Sequence, residues 1–521
     1  HDTPFLGTFD GEKHSISGII MDSLSQNAAL FGYNQGTIKS VNIDKSLLSG
    51  SWVAGIAVHN YGTIDSCLVN AKIYTMMGGA GIAVHNGLNA KVANSEFVGS
   101  FSAKSLVWEK RDSLNLKWIF DSSIKGFING GIVGLNEGRV QNVSSSGSAL
   151  FALYCTAVSS DLSDYGKGLF YYGGIVGNNT QSGTIESAEN RTEIKILGEA
   201  SCKAYYINNF VVANIVGYNA GIVENAYSNA DSLNVSTCNL GRAAGVVGVN
   251  ASSGIIDKTL TQTALNVRCD RRLCKTSASG IVGKNDGIVK NSGSMGTIYV
   301  DSYDSYASNS NSYSGIVAGI ASDGNGKIYN SFNVGNLSCK DSTGNIGACL
   351  LYGLGVNNYF ANTYNYGNIS GASRYKYLFG KGIDAYNSYA LDGSADSTGS
   401  KVTDSYTYDA YAALGTGSMT YYNMEDGDEV HDSHEGHEQV GEVPHEGKGG
   451  EGAEGHHGHA EGAENEEPDG LFAEELDVAF AIVVVASDGA EGEHEYHDGD
   501  EHTGDTAEGN ECAEACKGLN L

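Results

Sequence analysis

Gly131-Ile132-Val133-Gly134-Leu135-Asn136-Glu137-Gly138-Arg139-Val140-Gln141-Asn142-Val143 is the stretch on which the fold turns. A short apolar pair set between glycines runs into an asparagine–glycine corner, then into residues that alternate apolar and polar. The same unit returns as Gly32-Tyr33-Asn34-Gln35-Gly36-Thr37-Ile38, as Gly217-Tyr218-Asn219-Ala220-Gly221-Ile222-Val223 and as Gly283-Lys284-Asn285-Asp286-Gly287-Ile288-Val289. Ten such copies can be traced, and a unit repeated at this interval marks an array in which each copy stacks on its neighbours.

The corner asparagines serve as a ruler: Asn34, Asn60, Asn86, Asn136, Asn179, Asn219, Asn250 and Asn285, followed by a degenerate copy around Ala321 and a last one at Asn357. The first two steps (60 − 34 and 86 − 60) are both 26 residues and read as the bare coil. Longer steps read as the same coil with a loop spliced in, which stacked repeats tolerate.

Within a unit, Ile132-Val133 reads as a short strand. Arg139–Val143 reads as a second, with apolar residues alternating inward, and Ser228–Leu233 as a third. Three strands and three corners per turn predict an all-β, single-stranded parallel β-solenoid (β-helix) of about ten coils, expected to be right-handed, each strand pairing one coil away at about 4.8 Å. Glycine is expected to supply positive φ at the corners. The asparagines, Asn357 included, are expected to pass amide hydrogen bonds from coil to coil. The predicted organisation is a lead-in and cap over 1–30, the solenoid over 31–395, a C-terminal cap over 396–424 and a tail over 425–521.

The pattern resembles the GLUG repeat of secreted and surface-attached microbial proteins, adhesins among them. The opening Pro4-Phe5-Leu6-Gly7-Thr8-Phe9-Asp10-Gly11-Glu12-Lys13-His14-Ser15-Ile16-Ser17-Gly18 is similar to the F-x-G-x-F-D-G-x-x-H-x-I-x-G segment that precedes such arrays. The resemblance covers residues 4–395. It implies the solenoid and a surface setting but no single activity, since the repeat occurs beside many different domains. The long insertions after Asn86 and Asn136, and the missing asparagine near Ala321, depart from the pattern.

Only three prolines occur (Pro4, Pro444, Pro468), which suits a body whose backbone N–H groups are all needed for pairing. The net charge of −30 is unevenly placed. Residues 425–521 hold 30 acidic and two basic residues (−28), leaving 31 acidic and 29 basic in the remainder (−2). A near-neutral body without a basic stripe excludes a nucleic-acid partner. No apolar run reaches the roughly 20 residues of a membrane span. The start at His1 and ten cysteines lead us to expect a processed, secreted, extracellular or cell-surface chain.

A polysaccharide lyase or hydrolase would need carboxylates clustered on one face, and those of the body are scattered; no enzymatic activity is expected. His59 and His85 occupy the same slot one coil apart, either as two surface side chains or as a shared metal site, and His1 offers an amine and a ring to copper. Cys238 and Cys269 both fall 19 residues after their corner asparagine (238 − 219 and 269 − 250) and are a candidate disulfide. Cys155 with Cys202, and Cys339 with Cys349, are further candidates, leaving Cys67, Cys274, Cys512 and Cys516 unassigned. Seven N-x-Ser/Thr sequons carry little weight in so Asn- and Ser-rich a chain.

The tail interleaves histidines with Glu, Asp and Gly. His431, His434, His437, His456, His457 and His459 head its candidate metal ligands, for Ca, Zn, Cu or Ni, against the alternative of a solvated acidic leash; no cofactor is required. Within it, Val478, Phe480, Ile482, Val483, Val484 and Val485 form a β-branched strand (476–486) that needs a partner. Its candidate sites are the solenoid's own open end or an edge on a second copy. Three functions follow: a self-assembling subunit of an extracellular filament or surface layer, a monomeric adhesin binding carbohydrate or protein, or a polysaccharide-degrading β-helix.

Overall fold

The computed structural model describes residues 3–23, 27–104, 126–153, 169–198, 209–237, 241–269, 276–302, 315–341, 349–371, 375–379, 385–386, 388–390 and 405–406. All of them belong to the compact unit His1–Glu442. Every named element in them is a strand and every pairing between strands is parallel, so the body is a parallel β-solenoid.

One inward column shows the stacking. Ile38, Ile64, Val92, Val140, Ile185, Val223, Ile256, Val289, Ile328 and Phe360 are successive register partners, and each has 0% of its surface exposed. These ten residues mark ten successive coils, and the column extends by one register partner at each end, Phe9 before Ile38 and Ala385 after Phe360. Ile56, Ile82, Ile132, Ile175, Ile215, Val246, Ile281, Ile320 and Leu354 make a second sealed column from the apolar pair before each corner. Burying two or three such side chains per coil, at about 1.5–3 kcal/mol each, is what closes the turn.

The lead-in segment is itself a coil. Thr8–Asp10 pairs with Thr37–Lys39, Ser15–Ser17 with Asn42–Asp44, and Ile20–Ser23 with Leu47–Gly50. The expected break between a cap over 1–30 and the solenoid is therefore absent from the pairing.

Positive φ is not where the glycine rule places it. Ser40, Ser66, Asn94, Asn142, Ser187, Asn225, Lys258, Asn291, Asn330 and Asn362 are all left-handed, with φ between 46° and 55°, one in every coil just after the second strand. Asparagine tolerates this region because its short amide bonds locally. Here Asn94 donates to Asp65, Asn142 to Asn94, Asn291 to Asp257, Asn330 to Asn291 and Asn362 to Asn330. The corner glycines serve close approach instead: a Cβ on Gly36 would lie 2.0 Å from the Gly7 carbonyl oxygen, and one on Gly62 2.1 Å from that of Gly36.

Candidate assembly surface and the buried polar columns

The asparagine ladder begins from a geometric need. Each corner leaves backbone groups pointing into the solenoid, where no water satisfies them. The Asn34 Nδ2 donates to Asn60 Oδ1 (2.7 Å), Asn60 to Asn86 (2.8 Å), Asn86 to Asn136 (2.8 Å) and Asn136 to Asn179 (2.7 Å). The run continues from Asn179 to Asn219 (2.8 Å), Asn219 to Asn250 (2.8 Å) and Asn250 to Asn285 (2.9 Å), each residue 0% exposed. Every donor runs toward the C-terminus, so the ladder is polar.

Its last member is a correction. Asn357 is exposed and left-handed (φ 56°), whereas Asn358 is 2% exposed and accepts from Asn285 at 3.0 Å. The coil around Ala321 carries Gly324 and Gly326 where an asparagine is missing. Asn358 reaches into that place, its Oδ1 taking the Gly326 N–H (3.1 Å) as Asn34 Oδ1 takes the Gly36 N–H (3.1 Å) in its own coil. Two consecutive asparagines cannot be told apart by spacing; the left-handed turn at 357 decides which one faces inward.

A second polar column has no counterpart in the corner motif. Ile43, Val69 and Phe97 are followed in register by Ser145, Asn190, Ser228, Thr261, Ser294, Asn333 and Asn365, all at most 1% exposed. Hydroxyl and amide pairs join some of them: Ser145 with Thr192 (2.9 Å), Ser228 with Thr263 (2.7 Å) and Asn333 with Asn365 (2.7 Å). The column faces the first glycine of each apolar pair, where a Cβ on Gly174 would sit 2.5 Å from Asn190 and one on Gly280 2.1 Å from Ser294. The alternation of small polar residues in the third strand was the signal available in the sequence.

His59 and His85 are not surface side chains: they are 3% and 6% exposed. The Tyr33 ring stacks on His59 (4.4 Å between centroids) and the Tyr61 edge meets His85 (5.4 Å). His59 Nδ1 lies 3.4 Å from His85 Nδ1, and His85 Nε2 lies 3.1 Å from Glu137 Oε2. One tautomer set satisfies the trio, His59 donating to His85 and His85 donating to Glu137. Among the described residues no group of three or more His, Cys, Asp or Glu is arranged to hold a metal ion.

Burial pushes the His59 pKa down to about 4, with His85 adding to the effect; His85 is also lowered by burial, against the pull of Glu137. A neutral folded imidazole and an unfolded one that protonates near 6.5 mean that stability is present above pH 6.5 and lost as pH falls toward 4. The His59 contribution is about 3 kcal/mol over that window. Urea denaturation at pH 7.5 and 4.5 is expected to show this loss, and His59→Gln to flatten it; an unchanged pH slope in the variant would overturn the assignment.

Cys339 is disulfide-bonded and buried. The side chain of its candidate partner Cys349 lies outside the described residues, as do Cys155, Cys202 and Cys238. Cys269 stands opposite Thr237 rather than 238. Equal distances from the ruler asparagines are not equal register: Ile222 pairs with Ile255 (33 residues on) but Ser232 with Ala264 (32 on), because the intervening corners differ in length. Cys67 is a free, buried thiol pushed up to about 11 by burial, its N–H bonded to Ser95 Oγ. The tail histidines, His1 and the 476–486 strand also lie outside the described residues.

The N-terminal end of the solenoid is a different kind of surface. Among the described residues, each strand of the first coil is paired with the second coil only, and by parallel alternation Leu6, Thr8 and Asp10 turn their N–H and C=O groups outward. Leu6 is 71% exposed, Ile20 75% and Phe9 37%, while Phe5, Phe9 and Phe31 pack together over the apolar interior (5.2 and 5.5 Å). Phe5 bridges to Asn34 in the position an earlier asparagine would fill, so the amide ladder starts here. Among the described residues, no strand pairs on that backbone edge.

No protein-family model, no curated protein and no solved structure matches this chain. Among the described residues no helix is long and apolar enough to cross a membrane.

Proposed function

We propose that this chain is a secreted structural subunit that assembles, through the open first coil of its solenoid, into an extracellular filament or surface layer. The observation that carries the reading is that edge. An unpaired run of backbone donors and acceptors beside exposed Leu6 and Ile20 is a template for another strand. Proteins that remain single blunt such edges with prolines, charges or a covering element. Here Pro4, Asp10, Glu12, Lys13 and Asp22 flank the edge, the Asp10 carboxylate pairing with Lys39 (2.9 Å), while the run Ser15–Met21 carries neither a proline nor a charge. The resemblance to the GLUG repeat supports a surface setting.

Negative-stain microscopy of the purified full chain is expected to show regular fibres or sheets, and Leu6→Lys to shorten or abolish them. Isolated rods in the unmodified protein would overturn the reading and favour the monomeric adhesin.

A further inference from the structure

We infer that the partner of the open first coil is the first coil of a second copy, the two edges Ser15–Ser23 lying antiparallel across a two-fold axis; this rests on the assembly reading above and names its first contact. Four observations point there.

The first is the phase of the edge. Ser15–Ser17 and Ile20–Ser23 both pair with the one continuous strand Asn42–Ala54, and left-handed Gly18 (φ 71°) lies between them. The His14 carbonyl and the Gly18 N–H bond to the second coil before the turn, and the Ile19 carbonyl after it. Parallel alternation therefore turns outward the N–H and C=O groups of Ser15 and Ser17, then those of Ile20 and Asp22. The turn shifts the open groups from odd to even positions. An antiparallel copy of the same edge then meets open groups with open groups in two registers, with Ser15 opposite either Ile20 or Asp22.

The second is apolar fit. Ile16, Ile19 and Met21 are half-buried against the core, whereas Ser15, Ser17 and Asp22 are exposed and Ile20 is 75% exposed. Residues directly opposite one another share a face of the sheet. With Ser15 opposite Ile20, Ile16 stands opposite Ile19, and the apolar interior of one rod runs into that of the other.

The third is charge, which chooses the register. Ser15 opposite Ile20 brings Lys13 to Asp22, and the two-fold axis repeats the pair. Glu12 then falls opposite Ser23, and Asp10 is held by Lys39 (2.9 Å), so neither acid is set against another. The alternative register takes Asp22 to Ser15 and away from Lys13. The fourth is the end of the amide ladder. With Phe5 in the asparagine's place, a coil added head-to-tail would find no amide to receive its own, whereas a two-fold contact needs none. Such a contact closes after two copies, and the pair is the unit that the filament or layer repeats.

Charge exchange in the full chain tests this, at two exposed positions. Sedimentation velocity over a dilution series is expected to show a two-chain particle for the unmodified protein. Lys13→Asp alone and Asp22→Lys alone each set like charges together twice in a pair, and each is expected to weaken pairing about tenfold. The double variant, Lys13→Asp with Asp22→Lys, restores opposite charges and is expected to pair like the unmodified protein. An equimolar mixture of the two single variants is expected to do so as well. Single variants that pair as tightly as the unmodified chain would overturn the antiparallel contact while leaving assembly intact. A double variant no tighter than the singles would do the same. An unmodified protein at one-chain mass at every concentration would remove the assembly reading itself.

Discussion

Asn179→Asp is expected to destabilise the solenoid by about 4 kcal/mol or more. The Asn179 amide donates to Asn219 Oδ1 (2.8 Å), to the Gly183 carbonyl (3.1 Å) and to the Ile222 carbonyl (3.3 Å), while its Oδ1 accepts from Asn136 (2.7 Å). A carboxylate keeps the acceptor and loses every donor. It also sets a buried negative charge against three oxygens, at a residue with 0% exposure. Asn179→Ala loses the same bonds without the charge and is expected to cost about 2–3 kcal/mol. Acidification separates the two. The buried carboxyl titrates well above its ordinary range, and once protonated it donates again, so the aspartate penalty shrinks as pH falls while the alanine penalty does not. Urea denaturation of both variants at pH 7.5 and 4.5 reads this out, each against the unmodified protein at the same pH. An aspartate variant as stable as the alanine one would show that the amide is not the donor.

Gly147→Val is the second large effect, expected at about 3 kcal/mol or more. Gly147 lies within the long strand Arg139–Leu153, in register with Gly99 before it and Thr192 after it. Its φ is 116°, and a Cβ would stand 2.0 Å from the Gly99 carbonyl oxygen. Side chains rarely adopt that backbone, and the obstacle is main chain of the neighbouring coil, which cannot rotate aside as a side chain can. Because coils contact only their neighbours, a local defect of this size is expected to uncouple the coils on either side. Thermal unfolding should then split from one transition into two. A single transition at an unchanged midpoint would show that the strand relaxes around the methyl groups.

Much of the fold is legible from composition and spacing alone. The recurrence of Ile/Val pairs and Asn–Gly corners requires stacked coils, since no single 26-residue unit can bury its own apolar face. The alternation in Arg139–Gln141 places Val140 inside, and the left-handed turn at Asn142 brings Val143 inside as well, which strict alternation would not give. The open first coil was legible only in part. The lead-in motif marks where the array starts, but whether residues 5–23 form a cap or a coil depends on hydrogen bonds to residues more than 25 positions away.

What escaped the one-dimensional reading has a common cause. Spacing counts residues along the chain, while register counts them across it, and corners of unequal length make the two diverge. Hence Asn358 rather than Asn357 closes the ladder, and His59 and His85 are sealed under Tyr33 and Tyr61 rather than lying on the surface. Repetition of residue types was enough to dictate a parallel stack of coils, because period and apolar burial are properties of the chain itself. Which side chain fills a hole, which corner carries the left-handed residue and which backbone edge is left without a neighbour are set only when coils meet. Those choices depend on distances between residues that the chain holds far apart until it folds.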